Sequence, residues 1–296
     1  MADSVTANPG DFTFVTTCKG RLAHLKRSLP RMCAQAGAQV VVVDYSCPDG
    51  AADWVRANHP GVQVVQVTDD APFVVSRARN LGGAAVTTPW LMFIDADMLL
   101  ADDFLQQVLP LLRPSLFFRA APQSRQNWGS VICSREQYLL TGGYDEVYRG
   151  WGTEDDDFYD SLALTGARRA DYPAALLSEI EHSDELRTRF HSVSIVTSHR
   201  INQIYRRIKF DLMSIMGMAL PLPEREALYE QVRTCVRALE LGQRQSARFE
   251  MQVPDWHMGP PPDISAADVG VVRLSRALHY TISLHGMSPV QRDDTR

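Results

Sequence analysis

Residues 90–97, Trp90-Leu91-Met92-Phe93-Ile94-Asp95-Ala96-Asp97, form an apolar run that ends on two carboxylates. An uninterrupted apolar run of this length reads as a strand buried on both faces, as in a parallel sheet covered by helices. Working outward, Val40 to Val43 has the same character and ends on Asp44, and Phe12 to Thr17 and Val62 to Val67 add two more strands. Helical spacings lie between them. Leu22, Leu25, Leu29 and Met32 share one face, 49–58 suggests a short helix, and 74–85 a helix broken by Gly82 and Gly83. Asp102 is placed to cap a helix carrying Phe104, Leu105, Val108 and Leu109. This β-α-β-α rhythm predicts an α/β fold, a mostly parallel sheet with helices on both faces. Ligands of such sheets bind beyond the carboxyl ends of the strands, where Asp44 and Asp95 both stand.

Several classes are excluded early. The glycine pattern of dinucleotide folds is absent after the first strand, and so is the phosphate loop of nucleoside triphosphatases. The 296 residues carry a net charge of −5, which argues against a nucleic-acid surface. Cys18, Cys33, Cys47, Cys133 and Cys235 are odd in number with no CxxC pair, so neither a disulfide framework nor a zinc knuckle is expected. The opening residues show no basic segment followed by an apolar one, so no secretory leader is expected either. Together these predict a reducing, cytoplasmic setting. The longest apolar stretch, Leu212 to Leu222, includes Ser214, Gly217 and Pro221 and is too short to span a bilayer.

After Phe190 the character changes. Helical spacing runs over 194–216, 224–248 and 264–285, with Gly259-Pro260-Pro261-Pro262 before the last. The expected organisation is a catalytic body at 1–190 and a helical extension at 191–296. Residues 212–222, beside Arg206, Arg207 and Lys209, suit either a peripheral membrane contact or packing on the body or on a partner copy, giving a homo-oligomer.

Three clusters carry candidate chemistry. Asp95-Ala96-Asp97 offers hard oxygen ligands at a rigid strand end, although a turn or capping cluster has the same composition. Gly150-Trp151-Gly152-Thr153-Glu154-Asp155-Asp156-Asp157-Phe158 sets four adjacent acids beside an indole. A solvated helix N-terminus explains one or two of those acids. An aromatic platform with carboxylate acceptors suits a sugar ring, and Phe158 and Leu162 would anchor the helix beneath. Arg77-Ala78-Arg79-Asn80 opens a helix, where Arg can grip a diphosphate bidentately and Asn can read a base or ribose edge. A solvated basic face is the alternative. His182 follows Glu179 by three residues, a shared ligand face only if the segment turns.

In this order the motifs VTTCKGR, VVVDYSCPDG, SRARNLG, FIDADM and EDDD resemble the inverting family-two glycosyltransferases of the GT-A fold. GTEDDDF with the later His182-Ser183 resembles the C-terminal region of β-1,4-galactosyltransferases, shared with chondroitin polymerase domains. The resemblance covers about residues 12–185 and implies residue roles. Asp97 and His182, with Glu179 as a third ligand, would hold Mn²⁺ or Mg²⁺. Thr17, Arg21, Asp44, Arg77, Asn80, Asp95, Ala96, Trp128 and Gly129 would line the UDP-sugar donor. Asp155 would be the catalytic base, and Glu154, Trp151 and Asp156 would bind the acceptor, a glycan, a lipid-linked sugar or a small molecule. There are departures. Thr153 replaces a glycine before the acids, Glu179 stands where the relatives offer Met, and Asn127 replaces a bulky gate beside the donor, leaving room for an N-acetyl group. The implied donor is UDP-galactose or its N-acetylated form. A retaining transferase, a nucleotide-sugar pyrophosphorylase and a non-catalytic glycan-binding module are the competing readings.

Overall fold

The structure is a computed structural model that describes residues 7–68, 72–181, 190, 194–258 and 272–284. Side-chain alternation along the first strands divides the core into two layers. In β1 (Phe12–Cys18), Phe12 and Phe14 enter one layer and Val15 the other. In β2 (Gln39–Tyr45), Val40 and Val42 join the first layer, and Val41, Val43 and Tyr45 the second. Helices α1 (Leu22–Cys33) and α2 (Ala51–Asn58) cover the first layer with Leu25, Leu29, Met32 and Val55. Helix α3 (Val75–Ala84) covers the second. Helices therefore lie on both faces, as the continuous apolar runs require.

The remaining strands of this unit are β3 (Gln63–Val67), β4 (Trp90–Phe93), β5 (Met98–Leu100), β6 (Leu116–Ala121), β7 (Val131–Ser134), β8 (Arg168–Pro173) and β9 (Leu177–Glu179). Seven of the nine form one sheet in the order β3-β2-β1-β4-β7-β6-β8. Pairing is parallel from β3 to β4, antiparallel on both sides of β7, and parallel again between β6 and β8. Strands β5 and β9 pair separately, antiparallel, just past the end of β4. The helices α4 (Phe104–Val108), α5 (Arg135–Thr141) and α6 (Glu154–Leu164) complete the layers.

Two local expectations change. Gly82 and Gly83 do not break α3. A Cβ on Gly82 would lie 2.4 Å from Val15 Cγ1, and one on Gly83 2.5 Å from the Tyr138 ring, so the glycines let the helix seat directly on the sheet and on α5. Asp102 does not cap α4. It pairs with Arg31 instead, and the cap position falls on Asp103, whose carboxylate takes the Gln107 amide at 2.6 Å.

The chain divides into two compact units, Met1–Ser192 and Val193–Arg296. The second begins with α7 (Ile195–Met216) and α8 (Leu222–Glu240). Ser194 caps α7 by accepting from the Thr197 amide, and Gly217, at φ +67°, ends it. The helices are antiparallel. Thr197 near the start of α7 donates to Glu240 at the end of α8, and Tyr205 meets Tyr229 edge-on at 5.3 Å. The helix expected over 264–285 is overturned. Residues 272–283 form β11 (Val272–Ser283), antiparallel to β10 (Ser246–Met258), while 264–271 lie outside the described residues. The apolar run at 212–222 is divided: Leu212 and Leu220 are buried, while Ile215, Met218 and Leu222 are exposed. Lys209 is buried over the rings of Tyr205 and Phe210. Among the described residues no helix is long and apolar enough to cross a membrane.

Candidate active site

Strand β4 delivers Asp95 and Asp97 to the carboxyl edge of the sheet. Ala96 between them is buried, its carbonyl accepting from Ser28 Oγ at 2.7 Å, and this fixes the turn. Helix α6 brings its first turn to the same place. Phe158 and Leu162 are both fully buried beneath it, and Phe158 stacks on Tyr144 at 4.1 Å, as the four-residue spacing predicts.

The four adjacent acids are divided among three partners, Tyr148, Trp128 and Arg79. Asp157 accepts from the Tyr148 hydroxyl at 2.7 Å, and Asp156 from the Trp128 indole at 3.1 Å. Asp155 Oδ1 lies 2.6 Å from Arg79 Nη1, and Glu154 Oε1 lies 3.7 Å from the same nitrogen. Arg79 Nη2 reaches Asp95 Oδ1 at 3.1 Å. One buried guanidinium thus ties the end of β4 to the start of α6. Burial disfavours its charge, but Asp155, Asp95 and Glu154 hold it firmly protonated.

Burial also pushes the carboxyls upward. Asp155 rises to about 6, with burial the largest cause and the negative Asp95 and Asp156 adding to it against the pull of Arg79. Glu154 rises further, through burial and then the charge of Asp155. The α6 dipole, worth about 0.3–1 kcal/mol per acid, does not reverse this.

Gly129 lets these side chains close in on the backbone. A Cβ there would lie 2.8 Å from both Arg79 Nη2 and Asp95 Oδ2, and 3.4 Å from Asp155 Oδ2. The second oxygens of both carboxylates therefore face this glycine. Trp128 beside it is fixed by the Tyr159 hydroxyl, which donates to its carbonyl, and by Arg119, whose guanidinium lies 4.4 Å from the indole centroid. Trp151 lies 5.4 Å from the Arg125 guanidinium.

The donor-side residues divide. Arg77 donates to the Tyr45 hydroxyl at 3.0 Å at the end of β2, and Thr17 is partly exposed on β1. Arg21 pairs with Asp97 at 2.5 Å. Three others hold backbone instead. Asp44 is 2% exposed, and its two oxygens accept from the Cys47 and Ala52 amides at 2.6 Å each, which shapes the loop after β2. Asn80 clasps both backbone groups of Tyr144 and the Glu146 carboxylate. Asn127 is buried, its side-chain amide donating to the Pro122 carbonyl and accepting from the Ser124 amide.

For a divalent cation the test is the donor set. Asp97 presents a hard carboxylate that already faces the positive guanidinium of Arg21, chemistry that fits a hard cation. Glu179 is exposed opposite Met98 in the β5–β9 pairing, and the Ile180 amide donates to the Asp97 carbonyl at 2.7 Å, so this segment runs beside the aspartate. His182 lies outside the described residues, and among those described no three acidic, His or Cys side chains are grouped so as to hold a metal ion.

Arg79 is the site residue that motif reading passed over in favour of Arg77 and Asn80. The available signal was the i, i+3, i+4 relation of Arg79, Gly82 and Gly83, which sets the arginine on the sheet-facing side of α3. Tyr148, Tyr159 and Arg119 carry no such signal.

Comparison with known proteins meets this geometry from outside. Residues 13–115 match the model of glycosyl transferase family 2, and residues 118–191 that of the N-terminal domain of galactosyltransferase. β-1,4-Galactosyltransferase 1 of Mus musculus is 21% identical over 226 residues, 70% of this chain and 56% of the relative. The Bos taurus protein is 25% identical over 132 residues, 38% of this chain and 33% of the relative. The chain thus spans about half or less of the length of these relatives. Among solved structures, S. aureus TarS in complex with UDP-GlcNAc is similar at TM-score 0.56 and 14% identity, covering 79% of this chain and 76% of that one. The mannosyltransferase PcManGT of Pyrobaculum calidifontis, in complex with GDP-Man and Mn²⁺, is similar at 0.52 and 18%, covering 77% and 72%. The three side chains that meet over Gly129 come from both matched segments, and these matches support a glycosyltransferase domain of family-two, GT-A type in Met1–Ser192.

Proposed function

We propose that this domain is an inverting, divalent-metal-dependent hexosyltransferase that moves galactose or N-acetylgalactosamine from UDP to a hydroxyl acceptor. The carrying observation is the Arg79 bridge, which fixes Asp155 Oδ1 and Asp95 Oδ1 and turns both Oδ2 atoms toward Gly129. In this reading Asp155 Oδ2 takes the proton of the acceptor hydroxyl as that oxygen attacks the anomeric carbon. The bond to the diphosphate breaks on the opposite face, which inverts the configuration. Arg79 keeps the base oriented, and the raised affinity of Asp155 for a proton suits a base that works near neutral pH.

Charge supports the metal. A diphosphate is an anion, and so are Asp95 and Asp97. They share a cleft only with a cation between them. One unit-charge pair at 4 Å is worth about 4 kcal/mol at an effective dielectric of 20, which exceeds any helix-dipole contribution. Asp97 and His182, with Glu179, are the proposed ligands, and a bound Mn²⁺ or Mg²⁺ would neutralise charge growing on the leaving diphosphate. Trp151 offers an apolar face to the acceptor sugar, and Glu154 and Asp156 offer hydroxyl partners. The acceptor is a glycan, a lipid-linked sugar or a small molecule.

A panel of UDP-sugars scored for Mn²⁺-dependent release of UDP tests the donor and the metal without any acceptor. UDP-galactose or its N-acetylated form is expected to lead, with loss of release on adding EDTA. A product keeping the donor's anomeric configuration overturns the inverting mechanism.

A further inference from the structure

Cys18 and Cys47 lie apart from the carboxylate site, and the proposed reaction uses neither. Parallel pairing of β1 and β2 sets Cys18, the last residue of β1, opposite Asp44. Asp44 then turns the following loop by accepting the Cys47 amide. The two Sγ atoms end 3.8 Å apart, and the Gly20 amide donates to Cys47 Sγ at 3.2 Å. Both thiols are free. Cys18 is buried and Cys47 partly exposed, so a soluble reagent meets Cys47 first.

We propose that Cys18 and Cys47 form a reversible disulfide, a thiol-oxidation site that fastens the β1–α1 loop to the β2–α2 loop. A disulfide is about 2.0 Å long, so the sulfurs must close by about 1.8 Å from their 3.8 Å separation. The oxidant is a low-molecular-weight disulfide. Cys47 thiolate attacks one of its sulfurs, forming a mixed disulfide and releasing one thiolate. Cys18 then loses its proton to solvent and attacks Cys47 Sγ, expelling the second thiolate. Two protein thiols are oxidised and one small disulfide is reduced to two thiols.

The electrostatics order these steps. Cys47 is lowered to about 6 by the Cys18 hydrogen bond and by the Asp49 and Gly20 amides, against burial and Asp44. Cys18 is held protonated by that same bond, by burial and by the charge on Cys47. Capping Cys47 removes its charge and the bond to its thiolate together, so the resolving thiol is released when it is needed. Lys19, Gly20 and Arg21 follow Cys18 directly, and Arg21 holds Asp97, so the bond would stiffen the donor-side loop. That consequence rests on the function proposed above; formation of the bond does not.

The test is titration of the full chain with oxidised glutathione, followed by non-reducing peptide mapping. The expected result is a cross-linked peptide pair containing Cys18 and Cys47, with the free-thiol count falling from five to two once Cys33 also carries glutathione, and returning on adding dithiothreitol. Exposed Cys33 serves as the internal control and should carry glutathione alone. In C18S or C18A, Cys47 should stop at the mixed disulfide. Glutathione retained on Cys47 in the unmutated chain, or a reduced Cys47 where Cys33 is modified, overturns the proposal. Neither readout needs transferase activity.

Discussion

Arg79 Nη1 and Asp155 Oδ1, 76 residues apart in the chain, lie 2.6 Å from one another at the junction of α3 and α6. The same guanidinium reaches Asp95, so one side chain sets the distance between the strand-end acid and the helix acid. Removing it leaves buried carboxylates unpaired, at a cost of about 3–5 kcal/mol. Arg79→Ala is therefore expected to lower the melting temperature sharply. Arg79→Lys keeps the charge but loses the fork, and turnover should fall about 10²-fold through misplacement of Asp155 while the fold persists. Thermal melts and kcat on the two variants check this.

Asp97 and Asp155 should fail differently. Asp97→Ala is expected to abolish donor binding and turnover together. Asp155→Asn can still accept from Arg79, and should lose about 10²–10⁴-fold in kcat with UDP binding retained. Calorimetric titration of UDP with Mn²⁺ separates the two, and equal loss of binding in both would refute the division of roles.

Activity and stability should run in opposite directions with pH. Asp155 must be unprotonated to act, so kcat/KM should fall as pH drops below about 6. In metal-free protein the sign is reversed. A folded-state affinity for protons raised above the unfolded one favours the fold at low pH, and this contribution is lost as pH rises, between 3.8 and about 6 for Asp155 and between 4.5 and about 8 for Glu154. Asp155→Asn should flatten part of both profiles, measured by pH–rate curves and by urea unfolding across pH.

Gly82→Ala tests the seating of α3. Alanine gains about 0.5–1 kcal/mol of helix preference, but its Cβ would lie 2.4 Å from Val15 Cγ1 and 2.9 Å from Val43 Cγ2. Overpacking of this kind costs about 1–3 kcal/mol, so net destabilisation is expected, and a shifted urea midpoint at unchanged slope measures it.

The sheet was legible because strands buried on both faces leave continuous apolar runs, and β1, β2 and β4 all do so. The anchoring of α6 was legible for a similar reason, since Phe158 and Leu162 repeat at the helical period. Residues 272–283 misled because Leu274, Leu278 and Ile282 recur at fours, a spacing a paired strand also tolerates. The backbone bonds of Asp44 and Asn80 were not legible, because short polar side chains bind backbone amides as readily as bases and nothing in the spacing marks which they hold. Arg79 was overlooked because its partners lie far away in sequence.

The order in which the four convergent residues emerge also bears on how this enzyme is made. Arg79 and Asp95 leave the ribosome early, Gly129 later, and Asp155 later still, while β7, drawn in between β4 and β6, is the strand that joins the two halves of the sheet. A nascent chain halted before α6 therefore lacks only β8 of this sheet, while the Arg79–Asp95 pair still lacks Asp155. The Arg79 bridge is completed in one step, with the helix that carries Asp155.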